Sequence, residues 1–140
     1  MKRTKLDKCF VNKEKGIVVS KLSRLSTGRS VIDEMSKKLG DFGVVFMSAI
    51  FHQTDFLDID YEHDDYFVGI AKCHESDTFS EKTGRQIADI KAEYKYHSAM
   101  QRKYQQIIRR LHKTLRAVED LELKHRNTAA KLDEKLKKFM

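Results

Sequence analysis

The sequence predicts an α+β fold: a small antiparallel sheet with a short helix, followed by a long C-terminal helix and a short terminal helix. Three observations predict it. Up to about residue 79, apolar runs of strand length alternate with polar turns. From about Ser80 the apolar spacing becomes that of a helix. The 140 residues include no proline and only six glycines, so no flexible linker divides the chain. The expected organisation is a sheet domain with one short helix over 1–79 and a helical region over 80–140, folding as one cooperative unit.

The elements follow in order. "CFV" (9–11) and "GIVVS" (16–20) read as strands joined by the turn "NKEK". "TGRSVIDEMSKKLG" reads as a short helix, with Val31, Met35 and Leu39 at i, i+4 and i+8 and Gly40 as its stop. "FGVVFMSAIF" (42–51) is an apolar run of strand length, read as a strand. "DFLDIDYEHDDYFVGIAKC" reads as a hairpin. Its first arm alternates Leu57, Ile59 and Tyr61 with Asp58, Asp60 and Glu62, one face apolar and one acidic; its second returns from Tyr66 to Cys73.

Beyond Ser80 a heptad register can be written. Its a positions are Ile87, Tyr94, Gln101, Ile108, Leu115, Glu122, Ala129 and Leu136; its d positions are Ile90, His97, Tyr104, Leu111, Val118, His125, Leu132 and Phe139. The seam fails at Glu122 and His125, and Asn127 or Thr128 suits a helix cap. The reading is therefore a long helix over about 80–124 and a short one over about 128–139. A 40-residue helix is about 60 Å long, longer than a domain of this size is wide. Its seam then needs cover, and a second copy of the chain supplies it. The alternative is a fold-back near Glu122 that lets Leu132, Leu136 and Phe139 cover the chain's own seam.

Charge is unevenly spread. Residues 1–49 carry eleven basic and five acidic side chains, 50–79 one and eight, and 80–140 sixteen and eight, within a net charge of +7. A basic surface attracts phosphates or pairs with acidic segments. No apolar run approaches membrane-span length and no apolar core follows the basic start, so neither a membrane span nor a signal peptide is expected. Cys9 and Cys73 are the only cysteines, consistent with buried thiols in a reducing cytoplasm.

The stretch "GIAKCHESDTFSEKTGRQIADIKAEYK" joins the last strand to the long helix. Asp77 or Ser80 can cap the helix, with Glu81 at the positive end of its dipole. Gly84, inside the first turns, costs about 1 kcal/mol relative to Ala. Close packing or a bound phosphate would explain it. Phe79 either plugs the core or stacks on a base. Through Gly69, Ala71, Asp77, Phe79, Gly84, Ile87, Ala88, Lys91 and Ala92 the stretch resembles a strand-turn-helix of small actinobacterial and phage proteins with a fold like the double-stranded-RNA-binding domain. Glu75 departs from it, where many relatives have proline. The resemblance covers about 25 residues and implies a curved antiparallel sheet packed on one helix, with no agreed activity. The layout of sheet plus C-terminal helices is also similar to phage proteins that sequester nucleotide alarm signals of host defence.

The candidate ligand residues are Phe79, Arg85, Lys91, Arg102, Arg109, Arg110, Lys113 and Arg116. The four arginines and one lysine from 102 to 116, with Lys103, lie in a run free of carboxylates between Glu93 and Glu119, with Tyr94, Tyr96 and Tyr104 interleaved. Cations with aromatics suit phosphate contact and base stacking. Catalysis is not expected. There is no nucleophile motif, and His52, His63 and His74 with Cys73 lack metal-ligand spacing. Asp58, Asp60, Glu62 and Asp64 read as the wet face of a hairpin, and Glu93-Tyr94-Lys95 sits on a helix, not on the strand a nuclease site needs. The expected function is cofactor-free binding of a nucleotide signal or nucleic acid by a phage protein acting on host defence. The alternative is a protein inhibitor of anti-CRISPR type docking through its helix and acidic hairpin.

Overall fold

The structure is a computed structural model that describes residues 8–24, 27–51, 65–74 and 78–140. The acidic first arm of the expected hairpin, with Asp58, Asp60, Glu62 and Asp64, lies outside these, as do Asp77, Glu75, His52 and His63. The order of elements is β1 (Lys8–Asn12), β2 (Ile17–Arg24), α1 (Thr27–Phe51), β3 (Asp65–Lys72) and α2 (Glu81–Lys137). Contacts divide the chain into two units, residues 1–104 and 105–140.

In the first unit the three strands form an antiparallel sheet in the order β1-β2-β3. The α+β expectation therefore holds. The β1–β2 turn closes with the Lys15 N–H donating to Asn12 Oδ1 at 3.1 Å. Gly16 ends it at φ +63°, and a Cβ there would come within 2.9 Å of Cys73 Cβ, so this position requires glycine. Strand alternation puts Val18, Ser20 and Leu22 of β2 on one buried face, beside Gly69 and Ala71 of β3.

That face packs on α2 through very small residues. A Cβ on Gly69 would overlap the Ala88 carbonyl oxygen and come within 2.6 Å of the Ala92 nitrogen. A Cβ on Gly84 would sit 2.6 Å from Val18 Cγ2. Packing, the first of the two explanations for Gly84, is therefore realised. Ala88, Ala92, Tyr96 and Met100 form the buried side of the helix. At the centre of this contact the buried Ser20 hydroxyl donates to Asp89 Oδ1 at 2.5 Å. The helix also reaches the edge of β3 away from β2: Lys91 Nζ donates to the Ile70 carbonyl at 2.9 Å and Lys95 Nζ to the Val68 carbonyl at 2.6 Å. Four helical residues rise about 6 Å and two strand residues about 6.6 Å, so the pairs stay in step.

Helix α1 is anchored at its start by the Thr27 N–H, which donates to Asp65 Oδ2 of β3 at 2.7 Å. Val31 is fully buried, whereas Leu39 is exposed. Gly40, expected as the stop, has a positive φ (78°, with ψ 167°), but helix resumes after it, through Phe51. The strand expected over 42–51 is thus corrected to helix. Its apolar residues are consecutive and do not alternate, so their pattern does not distinguish strand from buried helix.

The second unit is the remainder of α2. The break expected between 124 and 128 is absent, and the two expected helices are one, running to Lys137. Arg126 makes two hydrogen bonds to the Glu122 carboxylate, at 2.6 and 3.1 Å, across the expected break. Thr128, expected to cap, instead donates its hydroxyl to the Lys124 carbonyl at 3.0 Å. Polar seam residues interrupt a packing surface without interrupting the backbone.

Gly69→Ala is expected to lower stability in urea unfolding by about 3 kcal/mol, at the upper end of overpacking costs. A loss below about 0.5 kcal/mol, the scale of an ordinary surface change, would show that the strand and helix do not approach this closely.

Candidate anion-binding surfaces

Two places gather cations: the corner where β3 meets α2, and the exposed side of α2. At the corner a cleft of 370 Å³ opens between the sheet end and the helix start, lined among others by Lys72, Cys73, His74, Phe79, Ser80 and Thr83. A neighbouring cleft of 510 Å³ shares Lys72, Cys73, His74 and Phe79 and adds Lys13 and Lys15 from the β1–β2 turn. In the sequence "NKEK" reads only as a turn. Antiparallel pairing of Ile17 with Lys72 carries that turn to the strand-to-helix corner, a proximity no local pattern reveals.

The corner is nonetheless built for packing. Phe79 is half-buried against Val18, Ala71 and Ala88, so of its two readings it takes the core plug. Ser80 is the cap, its Oγ accepting the Thr83 N–H at 3.3 Å. Glu81 stands in the first turn and pairs with Arg85 at 2.8 Å. A side-chain cap and a carboxylate already occupy the electropositive helix end where a phosphate would sit.

The remaining candidates separate by what they touch. Lys91 holds the edge of β3 through the Ile70 carbonyl. Arg102 Nε donates within its own helix to the Ser98 carbonyl at 3.4 Å. In the second unit Arg109, Arg110, Lys113 and Arg116 are all exposed. Arg109, Lys113 and Arg116 fall at i, i+4 and i+7 and therefore line one stripe of the helix. Among the described residues these three have no ion-pair partner, while Lys37, Arg85, Arg126 and Lys137 each hold a carboxylate four residues away. Phe79, Arg85, Lys91 and Arg102 are thus packed or bonded within the first unit, and Arg109, Lys113 and Arg116 share an exposed cationic stripe in the second.

The tyrosines also divide. Tyr94 is exposed. Tyr96 is buried, edge-on to Phe67 at 5.5 Å and beneath the Arg24 guanidinium at 5.3 Å. Tyr104 donates its hydroxyl to Glu34 Oε2 on α1 at 2.9 Å. Burial first, and then the Glu34 carboxylate, push its ionisation well above the usual tyrosine range. Two of the three rings offered for base stacking are therefore used inside the fold.

Among the described residues no His, Cys, Asp or Glu side chains cluster as a metal site would require, and no helix is long and apolar enough to cross a membrane. Fold and surface together define a small α+β protein whose three-stranded sheet is backed by one long, basic helix. Compared with protein-family models, curated proteins and solved structures, the chain matches none.

Because the folded state raises the Tyr104 pKa above its unfolded value near 10, the neutral hydroxyl contributes stability that is fully present below that pH. The contribution is lost as pH rises beyond it. Spectroscopic titration should show a tyrosine that resists ionisation until the protein unfolds. Tyr104→Phe should remove that lagging group. A high-pH limb of the titration left unchanged by Tyr104→Phe would contradict the hydrogen bond.

Proposed function

We propose that this is a non-catalytic binding protein that holds a polyanion, the phosphate backbone of a nucleic acid, along the exposed cationic stripe of α2. One observation carries the reading: Arg109, Lys113 and Arg116 share a helix stripe, are exposed, and have no carboxylate partner among the described residues. Cations not neutralised internally favour phosphates that release their counterions on binding. A helix face is convex and gives a small nucleotide little enclosure, whereas an extended backbone can follow it. The likeness in layout to phage anti-defence proteins supports a phage setting, with a host nucleic acid as the target.

A second reading is a protein-directed inhibitor of anti-CRISPR type. The outer sheet face favours it: Phe10, Val19 and Ile70 lie side by side across the three strands, with Phe10 59% and Ile70 49% exposed. Apolar rows of this kind mark protein contacts. The acidic hairpin expected to share this docking lies outside the described residues.

Fluorescence anisotropy with a labelled 20-nucleotide strand tests the first reading. Binding should weaken steeply with salt, and the triple variant R109E/K113E/R116E should reduce the slope of log K against log salt by about 2, at roughly 0.7–0.9 per phosphate contact. A salt-independent affinity, or one unchanged in the variant, would overturn it. A rise in melting temperature with free nucleotides but no strand binding would move the site to the corner cleft.

A further inference from the structure

From Ile108 to Phe139 the seam residues Ile108, Leu111, Leu115, Val118, Leu132, Leu136 and Phe139 are 42% to 89% exposed. Within the second unit no other residue covers this apolar line. Two opposed groups interrupt it, Glu122 and His125, and their positions say what covers it.

Let a second copy lie antiparallel beside the first, so that each a position faces a d position. One register matches the whole seam. Ile108 meets the partner's Phe139, Leu111 the partner's Leu136, Leu115 the partner's Leu132 and Val118 the partner's Ala129. In that register Glu122 meets the partner's His125, twice, about the two-fold axis. Flanking positions agree: Glu119 stands beside the partner's Arg126, and His112 beside the partner's Asp133.

The alternatives fail on the same residues. Shifting by one heptad sets either Leu115 against the partner's His125 and Val118 against the partner's Glu122, or Glu122 against the partner's Leu132. A parallel pair in register buries Glu122 against the partner's Glu122, like charge on like charge. Within one chain, a fold-back near Glu122 would use these very pairs. The helix is continuous through 122–128, held there by the Arg126–Glu122 pair at 2.6 Å. The facing helix must therefore come from another molecule. We infer that residues 108–139 form an antiparallel homodimeric coiled coil in this single register, specified at its centre by the two Glu122–His125 layers.

The inference stands apart from polyanion binding, because Arg109, Lys113 and Arg116 lie off the seam and the tests read mass and distance. Light scattering at tens of micromolar should give a dimer, and Leu115→Glu, at an exposed position, should leave a folded monomer. Glu122→Lys should weaken the dimer at least tenfold. The swap E122K/H125E should restore it to within a few-fold, since each introduced lysine then faces an introduced glutamate on the other subunit. In a parallel dimer the swap would leave like charges facing and restore nothing. Spin labels at Lys113→Cys and Asp120→Cys, with Cys9 and Cys73 changed to Ser, should be about 32 and 10 Å apart along the axis, from about 21 and 7 residues at about 1.5 Å each. A monomeric wild type, equal distances at the two positions, or no rescue by the swap would overturn the inference.

Discussion

The approach of α2 to the β2–β3 face constrains everything else in the first unit. Gly69 and Gly84 lack side chains where the Ala88 carbonyl and the Val18 methyl stand. At that range Ser20 reaches Asp89 directly, and two lysines of the helix reach the carbonyls of β3. If the helix withdrew by the width of a methyl group, the serine–aspartate bond would open and leave a polar side chain buried without its partner. Such a loss outweighs any single apolar contact it would relieve. Small residues here therefore do more than fill space. They set the distance at which the polar contacts close.

The same geometry explains why charged residues on one helix have different roles. Lys91 and Lys95 satisfy backbone carbonyls that an edge strand would otherwise offer to another chain. Arg85 balances Glu81 at the helix start, and Tyr104 ties the helix to α1 through Glu34. Toward the C-terminus, Arg126 and Lys137 hold their own carboxylates. Among the described residues Arg109, Lys113 and Arg116 hold no carboxylate, and their mutual repulsion is a reason to expect an anionic partner.

How much of this is legible in the sequence depends on the range of the physics involved. The β1–β2 hairpin and β3 follow from local signals: apolar strands, a polar turn, and Gly16 where φ must be positive. The switch to helix at Ser80 is equally local, and Ser80 caps it. The run 42–51 defeats a local reading because consecutive apolar residues carry no period, and the strand expected there is helix. The break expected at Glu122 fails for another reason. A polar residue on a seam looks like a backbone stop, although Glu122 and Arg126 at i and i+4 are a helix-stabilising pair. At the candidate site, the cationic run is visible as a gap between acids. That Lys91 serves the sheet edge, or that Lys13 and Lys15 reach the corner, depends on strand pairing and helix placement. Small residues at 69, 71, 84, 88 and 92 are the available signal of a close contact, and that contact accounts for Gly69, Gly84, Ala88 and Ala92 by packing alone.

The two proposals meet in one electrostatic consequence. In the antiparallel register that sets Glu122 opposite the partner's His125, the stretch from Arg109 to Arg116 lies at the same level along the axis as the partner's Lys131, the partner's Lys135 and the partner's Lys138, which stand on the other flank of the pair. At each end of the paired helices the cations of two chains then gather, with Asp133 and Glu134 the carboxylates among them. Such an assembly holds its seam against its own charge, and phosphates laid along it relieve that repulsion. By linkage, a polyanion that binds the dimer more tightly than the monomer strengthens the dimer by the same factor. In the two proposals taken together, the seam sets which helices meet, and the off-seam charge sets what their meeting attracts.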